Sequence, residues 1–267
     1  MGAFLYQHPD DNVVSLASTI TVSAPDAAYP SANLSDGNPA RPCKFDATSG
    51  TIVFDFGAAR RIDLAALIHH NLDAGLNVRI QANATDAWGG PSLNEPFTIP
   101  AIDEDGFSVN PWFDLTGAAG YLVGGYRYWR LAVIGANAAN VAIGQLWLGG
   151  EKRQATHNFS WEYTETDDHP LIEHRTDLLV STMYDLGTRA RRLDVEIETS
   201  DAGIASLRAW IRAAAGRARP VLVVPDPALN DAWLVRVADP QFSIGRRWNN
   251  DNVWQVSWQE VSRGLPL

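Results

Sequence analysis

Short stretches in which apolar and polar residues alternate recur along the chain, separated by clusters of Gly, Pro, Asn and Asp. A period of two is the mark of a strand with one buried face, because successive side chains point to opposite sides. In Thr51–Gly57, Ile52, Phe54 and Phe56 share one face, and Thr51, Val53 and Asp55 the other. Val78, Ile80 and Ala82 repeat the pattern, as do Trp129, Leu131 and Val133. Leu64 to Ile68 and Ala142 to Leu148 are apolar runs, the second closed by Gly149-Gly150. Turn-rich stretches such as Trp88-Gly89-Gly90-Pro91 and Asp103 to Gly106 lie between. Many short strands with such punctuation predict a mainly β chain, its first half a sandwich or barrel.

The composition shifts at Glu151-Lys152-Arg153-Gln154, which divides the chain into residues 1–150 and 151–267. Beyond the boundary a strand is expected at His157 to Tyr163. Thr164 to Asp177 is polar, contains Pro170 and has no clear period, so it reads as a long loop or arm. Leu193 to Glu198 alternates again. Then Ile204, Leu207, Ile211 and Ala214 fall at helical spacing, predicting one α-helix over about 201–215. Ser200 or Asp201 can cap its start and Gly216 can end it. Burying each large side chain of that stripe stabilises by roughly 1.5–3 kcal/mol. Strands resume at Val221 to Val224, at Trp233, Val235 and Val237, and at Trp254, Val256 and Trp258. The second unit is therefore expected to be a smaller β-barrel or sandwich with a single helix.

Composition narrows the function classes. The chain has 267 residues, 46% of them hydrophobic, enough for two ordinary cores. A net charge of −10 argues against gripping nucleic-acid phosphates, which needs clustered cations. Only 19% of residues are charged, which suits either a surface largely covered by partners or a β-rich protein with many Ser, Thr and Asn on its surface. A single cysteine, Cys43, excludes a disulfide framework within the chain. Met1 to Asn12 holds Asp10 and Asp11 and no apolar run, so no secretory leader and no membrane insertion are expected. Of ten Trp, Trp129, Trp147, Trp210, Trp233, Trp254 and Trp258 occupy core-like positions, while Trp88, Trp112 and Trp248 lie in turn-rich stretches where they can anchor partners.

Catalytic constellations are not evident. The sequence has no Gly-rich phosphate loop with Lys, no nucleophile elbow and no His-Glu-x-x-His pair. Cys43 has no His paired with it in the pattern and reads as a bystander thiol. His69-His70 follows an apolar run, and adjacent strand residues face opposite ways, so at most one can serve a shared site. Asp167, Asp168, His169 and His174 carry donors suited to a metal but match no common spacing, and read as part of an arm reaching a neighbouring subunit. The expectation is a protein that is not an enzyme and needs no cofactor.

Two resemblances sharpen this reading. Ala32-Asn33-Leu34-Ser35-Asp36-Gly37-Asn38, then Ile52 to Gly57, Arg61-Ile62-Asp63, Tyr128 to Leu131 and Ile143 to Gly150 follow in the order and spacing of a module over roughly residues 10 to 150. That order resembles the galactose-binding-like β-sandwich of discoidin and coagulation-factor type C domains. The resemblance implies a ligand site on loops at one end of a jelly-roll-like sandwich. Asn33, Asn38, Arg41, His70 and Trp112 are then candidate sugar or partner contacts, and Asp36 a candidate ligand for a structural calcium ion.

In the second half, Arg191 to Val195, the helix Ile204 to Ala215, Gly216 to Pro220, Leu234 to Val237 and Val256 to Val261 follow one another. This order resembles the ring-forming domain of distal tail proteins from long-tailed bacteriophages, although there the ring domain typically comes first. It implies a structural component of the virion tail tip or baseplate, assembled in the host cytoplasm. Its expected partners are copies of itself around the DNA channel, a hexamer favoured over a trimer, together with the tail tube, the hub and other tail-tip proteins. Host-surface glycan is a further expected partner, and the alternative function is that of a carbohydrate-binding, receptor-adhesion module.

Overall fold

The computed structural model describes residues 5–7, 9–101, 109–151, 153–154, 164–168, 171–175, 181–185, 190–199, 219–225, 230–238, 243–248 and 251–261. Up to residue 150 the strands are β1 (Leu5–Gln7), β2 (Thr19–Val22), β3 (Cys43–Lys44), β4 (Gly50–Arg60), β5 (Leu64–His70), β6 (Val78–Asn83), β7 (Leu93–Phe97), β8 (Trp112–Asp114), β9 (Tyr126–Val133) and β10 (Ala142–Gly149). Beyond it come β11 (Arg153–Gln154), β12 (Thr164–Asp168), β13 (Leu171–Arg175), β14 (Ser181–Asp185), β15 (Ala190–Thr199), β16 (Val221–Val224), β17 (Trp233–Val237), β18 (Ser243–Trp248) and β19 (Asp251–Glu260). The expected strand at His157 to Tyr163 and the expected helix at 201–215 lie outside the described residues.

Three antiparallel sheets stack as layers. The outer layer has five strands in the order β2-β4-β9-β6-β7. The middle layer has four, β3-β10-β5-β8. The third runs β11-β1-β16-β17-β19-β15-β12, with β18 also paired to β19. Ile52, Phe54 and Phe56, Val78, Ile80 and Ala82, and Trp129, Leu131 and Val133 all turn inward, where they meet Ala65, Leu67, Ile143, Leu146 and Leu148 of the middle sheet. The alternation visible in the sequence is thus the inner face of a two-sheet sandwich.

The middle sheet is covered on its other side as well. Leu64, Ala66, Ile68 and Trp147 pack against Leu222, Val224, Ala232 and Leu234 of the third sheet, with Trp112 and Val261 at the margin. All seven residues of β5 are buried for this reason. A strand covered on both faces has no polar side to show, so it reads as a plain apolar run.

The first strand pairs with strands from beyond residue 150. Leu5, Tyr6 and Gln7 pair with Val224, Val223 and Leu222 of β16, and Leu5 and Tyr6 also pair with β11. The sandwich is therefore inserted between the first strand of the third sheet and the rest of it. Three residues are too few to show a period, so no local pattern announces this pairing. Gln7 anchors the crossing. Its Oε1 accepts from the indole N–H of Trp147 at 2.6 Å, and its Nε2 donates to the Glu151 carbonyl at 3.3 Å. A Cβ at Gly149 would meet this amide, so a larger residue there would push the Gln7 side chain off its hydrogen bonds.

The stretch read as a loop, Thr164 to Asp177, also differs. Thr164–Asp168 is an edge strand paired with β15, and Leu171–Arg175 forms a separate two-stranded ribbon with β14. An edge strand held by backbone hydrogen bonds needs no apolar alternation, so its pattern was silent.

A buried ionic cluster ties the third sheet to the sandwich. Arg191 on β15 donates through Nε and Nη2 to the two Glu260 oxygens at 2.8 Å each, and through Nη1 to Asp231 at 2.5 Å. Its guanidinium lies 3.9 Å from the centroid of the Trp233 ring. Burial opposes the charge, but the two carboxylates outweigh it and hold the group protonated. Asp231 also accepts the backbone N–H of Asn110, in the sandwich, at 3.0 Å. Cys43 is enclosed in the sandwich core, and burial pushes its thiol up to about 11, the opposite of what a nucleophile needs.

Replacing Arg191 by Met leaves Glu260 and Asp231 facing an apolar side chain. The expected cost is roughly 3–5 kcal/mol in urea unfolding, most of it recovered in the Arg191→Met/Glu260→Leu double variant. Equal losses in the single and double variants would show that Glu260 is not the stranded charge.

Candidate functional site

The candidate contacts chosen from the sandwich loops do not converge. Asn33 is buried and its Nδ2 donates to the Pro42 carbonyl at 2.9 Å, which closes its own loop. His70 is buried too. Its Nδ1 accepts from the Leu72 N–H at 3.1 Å and its Nε2 faces the Val109 carbonyl at 3.1 Å, a pairing that puts the ring proton on Nε2. Neighbouring His69 is also buried, at φ +53°, with its N–H on Asn110 Oδ1 and its Nδ1 on the Pro39 carbonyl. Trp112 packs at the margin of the apolar seam, and its backbone N–H donates to Asn230 Oδ1 at 3.2 Å. Asn33 and His70 are thus spent on contacts within the fold, while Trp112 is half-buried.

Asp36, Asn38 and Arg41 stay together on one loop. Asp36 Oδ1 accepts from the Asn38 N–H at 2.8 Å, and Asn38 Oδ1 from the Ala40 N–H at 3.3 Å, giving two successive Asx turns. Arg41 stands 3.8 Å from the other Asp36 oxygen. No group of three or more His, Cys, Asp or Glu able to hold a metal forms among the described residues, at Asp36 or elsewhere. Asp167 and Asp168 lie on β12 and His174 on β13, while His169 lies outside the described residues.

The outward face of the five-stranded sheet brings together a different set. Gln81 on β6 is directly opposite Arg130 on β9 and Asn94 on β7. Arg130 Nε donates to Gln81 Oε1 at 2.7 Å, and Gln81 Nε2 donates on to Asn94 Oδ1 at 2.9 Å. Trp88, from the β6–β7 loop, folds back over this row, with the Arg130 guanidinium 4.3 Å from its ring centroid. Its indole N–H donates to Asp86 at 2.6 Å. Asn83 secures the loop by donating to the Ala87 carbonyl at 2.7 Å and accepting from Ser92 Oγ at 3.1 Å.

The row continues across the sheet. Tyr128 is opposite both Asn83 and Asp55. Asp55 receives Arg127 in a two-pronged pair at 2.7 and 2.8 Å, and the Arg127 guanidinium sits 4.8 Å from the Tyr128 ring centroid. The result is a fixed surface of two half-buried aromatic rings bordered by amides, carboxylates and guanidinium groups. Aromatic faces take up apolar ring faces, and the polar border supplies both donors and acceptors. Sequence reading singles out Trp88 as a possible partner anchor but not the row beneath it, because it follows the inward residues of β6 and β9. The available signal was the outward register Gln81, Asn83, Tyr128 and Arg130 beside a Trp-Gly-Gly-Pro loop.

A second polar concavity, about 200 Å³, lies where the sandwich meets the third sheet, lined among others by Asp36, Gln145, Arg219 and Arg236.

No protein-family profile matches the chain, and no curated protein matches it. Similar solved structures include the family 32 CBM from C. perfringens NanJ in complex with galactose, at TM-score 0.38 and 12% identity over 54% of this chain and 96% of that one. A Streptococcus pneumoniae fucose binding module gives TM-score 0.37 and 12% identity over 50% and 93%. Chitosan-binding module 1 of a Paenibacillus chitosanase/glucanase gives TM-score 0.37 and 14% identity over 51% and 98%. The likeness spans about half of this chain.

The Arg127 hydrogen bonds, with the Gly57 N–H, hold the Asp55 carboxyl down to about 2. A depressed folded-state value means that this contribution to stability is complete above the unfolded carboxylate pKa, near ~3.9, and is lost as pH falls through about 2. Carboxyl-carbon NMR should place the Asp55 midpoint near 2 in the native protein and closer to ~3.9 in Arg127→Ala. An unchanged midpoint in the variant would contradict this assignment.

Proposed function

We propose that the chain is a non-catalytic glycan-binding protein, with the Trp88 face of the sandwich as its sugar platform and the third sheet as the scaffold that builds it into a phage tail tip. The observation that carries the sugar reading is the Trp88–Arg130–Gln81–Asn94 row. Its groups are positioned by their own hydrogen bonds before any ligand arrives, which lowers the ordering cost of binding. A pyranose offers what such a row accepts: an apolar ring face for the indole and hydroxyls for the exposed Asn94 amide, with Gln81 buried beneath as the group that positions it.

Galactose, fucose and chitosan oligosaccharides, the ligands named for the similar modules, are the natural first probes. A glycan array followed by calorimetry should find binding, weakened about tenfold or more, about 1.4 kcal/mol, in Trp88→Ala with the melting temperature nearly unchanged. A protein that binds none of the glycans would sink the sugar reading.

A separate observation favours the assembly role. The sandwich is inserted into the third sheet and joined to it over an apolar seam, so it is presented in a fixed orientation. At the far side of that sheet, β12 pairs only with β15 among the described residues, and the β13–β14 ribbon pairs only within itself. Free backbone edges of this kind are suited to joining copies. Ring closure would use heterologous contacts, one face of each copy meeting a different face of the next. Electron microscopy and light scattering with purified tail-tube and hub proteins should show rings or incorporation into tail tips. A monomer at every concentration, joining no particle, would remove the tail-tip assignment.

A further inference from the structure

The concavity between the sandwich and the third sheet holds a group that the fold leaves unserved. Gln145 on β10 is only 2% exposed, and its Oε1 meets no hydrogen-bond donor among the described residues. Its neighbours are committed elsewhere. The Trp147 indole N–H goes to Gln7. Asn12 accepts from the Val14 and Leu148 amides and donates to the Leu146 carbonyl. A buried amide oxygen without a donor is unfavourable, and Gln145 is among the residues lining the cleft, the space from which a donor can be supplied.

The opposite wall decides what that donor belongs to. Arg219 is paired with Asp10 at 2.6 Å, whereas Arg236 is exposed and has no ion pair among the described residues. Both arginines line the cleft, which disfavours a metal cation. Asp36 lines it too and disfavours a carboxylate or phosphate. Donors and acceptors are mixed with little excess charge, and Trp147 and Pro220 add apolar surface. A volume of about 200 Å³ is the size of one sugar ring rather than of a chain.

We propose that this cleft is a second saccharide subsite, taking one neutral pyranose, with Gln145 Oε1 accepting a hydroxyl and Arg236 donating to neighbouring hydroxyl oxygens. The inference rests on the glycan-binding reading for its ligand but on none of the residues of the Trp88 face.

The test titrates the full chain with methyl glycosides of galactose, fucose and glucosamine, followed by ligand-observed NMR. Trp88→Ala should leave a residual site. Adding Gln145→Leu or Arg236→Ala to that variant should weaken the remainder about tenfold or more. Gln145→Leu is close in volume and removes the unserved oxygen, so its melting temperature should not fall, which separates lost binding from lost fold. Residual binding indifferent to both substitutions, or none left after Trp88→Ala alone, would overturn the cleft while the glycan reading stands. A wild-type protein that binds none of the three glycosides would overturn both. A crystal grown with the bound glycoside that shows only an ordered water on Gln145 would also refute the subsite.

Discussion

The architecture depends on burying a four-stranded sheet on both faces. Ala65 and Leu67 of β5 face the sandwich core, and Leu64, Ala66 and Ile68, one residue out of phase, face the third sheet. A one-residue slip of this strand would exchange the two faces entirely, so the pairing of β5 with β10 fixes both interfaces at once. The hydrophobic contribution is roughly 1.5–3 kcal/mol for each large side chain so enclosed. The polar ties around it, Gln7 to Trp147 and Asp231 to Asn110, set the alignment of the layers. Apolar contact supplies the driving force, and the hydrogen bonds select one arrangement.

How much of this the sequence disclosed follows from the same physics. Ile52, Phe54 and Phe56 alternate with polar neighbours because the other face of β4 is not covered by a further layer, and the sandwich core could be read directly. Leu64 to Ile68 stands out in the sequence only as an apolar run, with nothing to say what covers it. The partner, Leu222 and Val224, is far away in the chain, and no local pattern encodes such pairing. β1 was too short to announce itself, and β12 lacked an apolar face. Asn33 and His70 were chosen as ligand contacts because their residue types suit sugars. Type does not reveal whether a side chain is already spent on Pro42 or Val109.

The two proposed binding surfaces lie where the layers leave the sheets uncovered. The outer sheet keeps one face open, and there the cross-strand register aligns Asn94, Gln81 and Arg130 beneath Trp88. The loop of Asp36 meets the third sheet at the edge of the seam, leaving a gap lined by polar groups from both units. Insertion of the sandwich, rather than tethering it, fixes both surfaces relative to the scaffold.

Native-state hydrogen exchange tests the welded-layer account most directly. The amides of β1, β5 and β16 should open together, with one common free energy equal to that of global unfolding. Fast exchange at β1 and β16 while β5 and the sandwich core remain protected would contradict it, because the third sheet would then be a separate body resting on an independent sandwich.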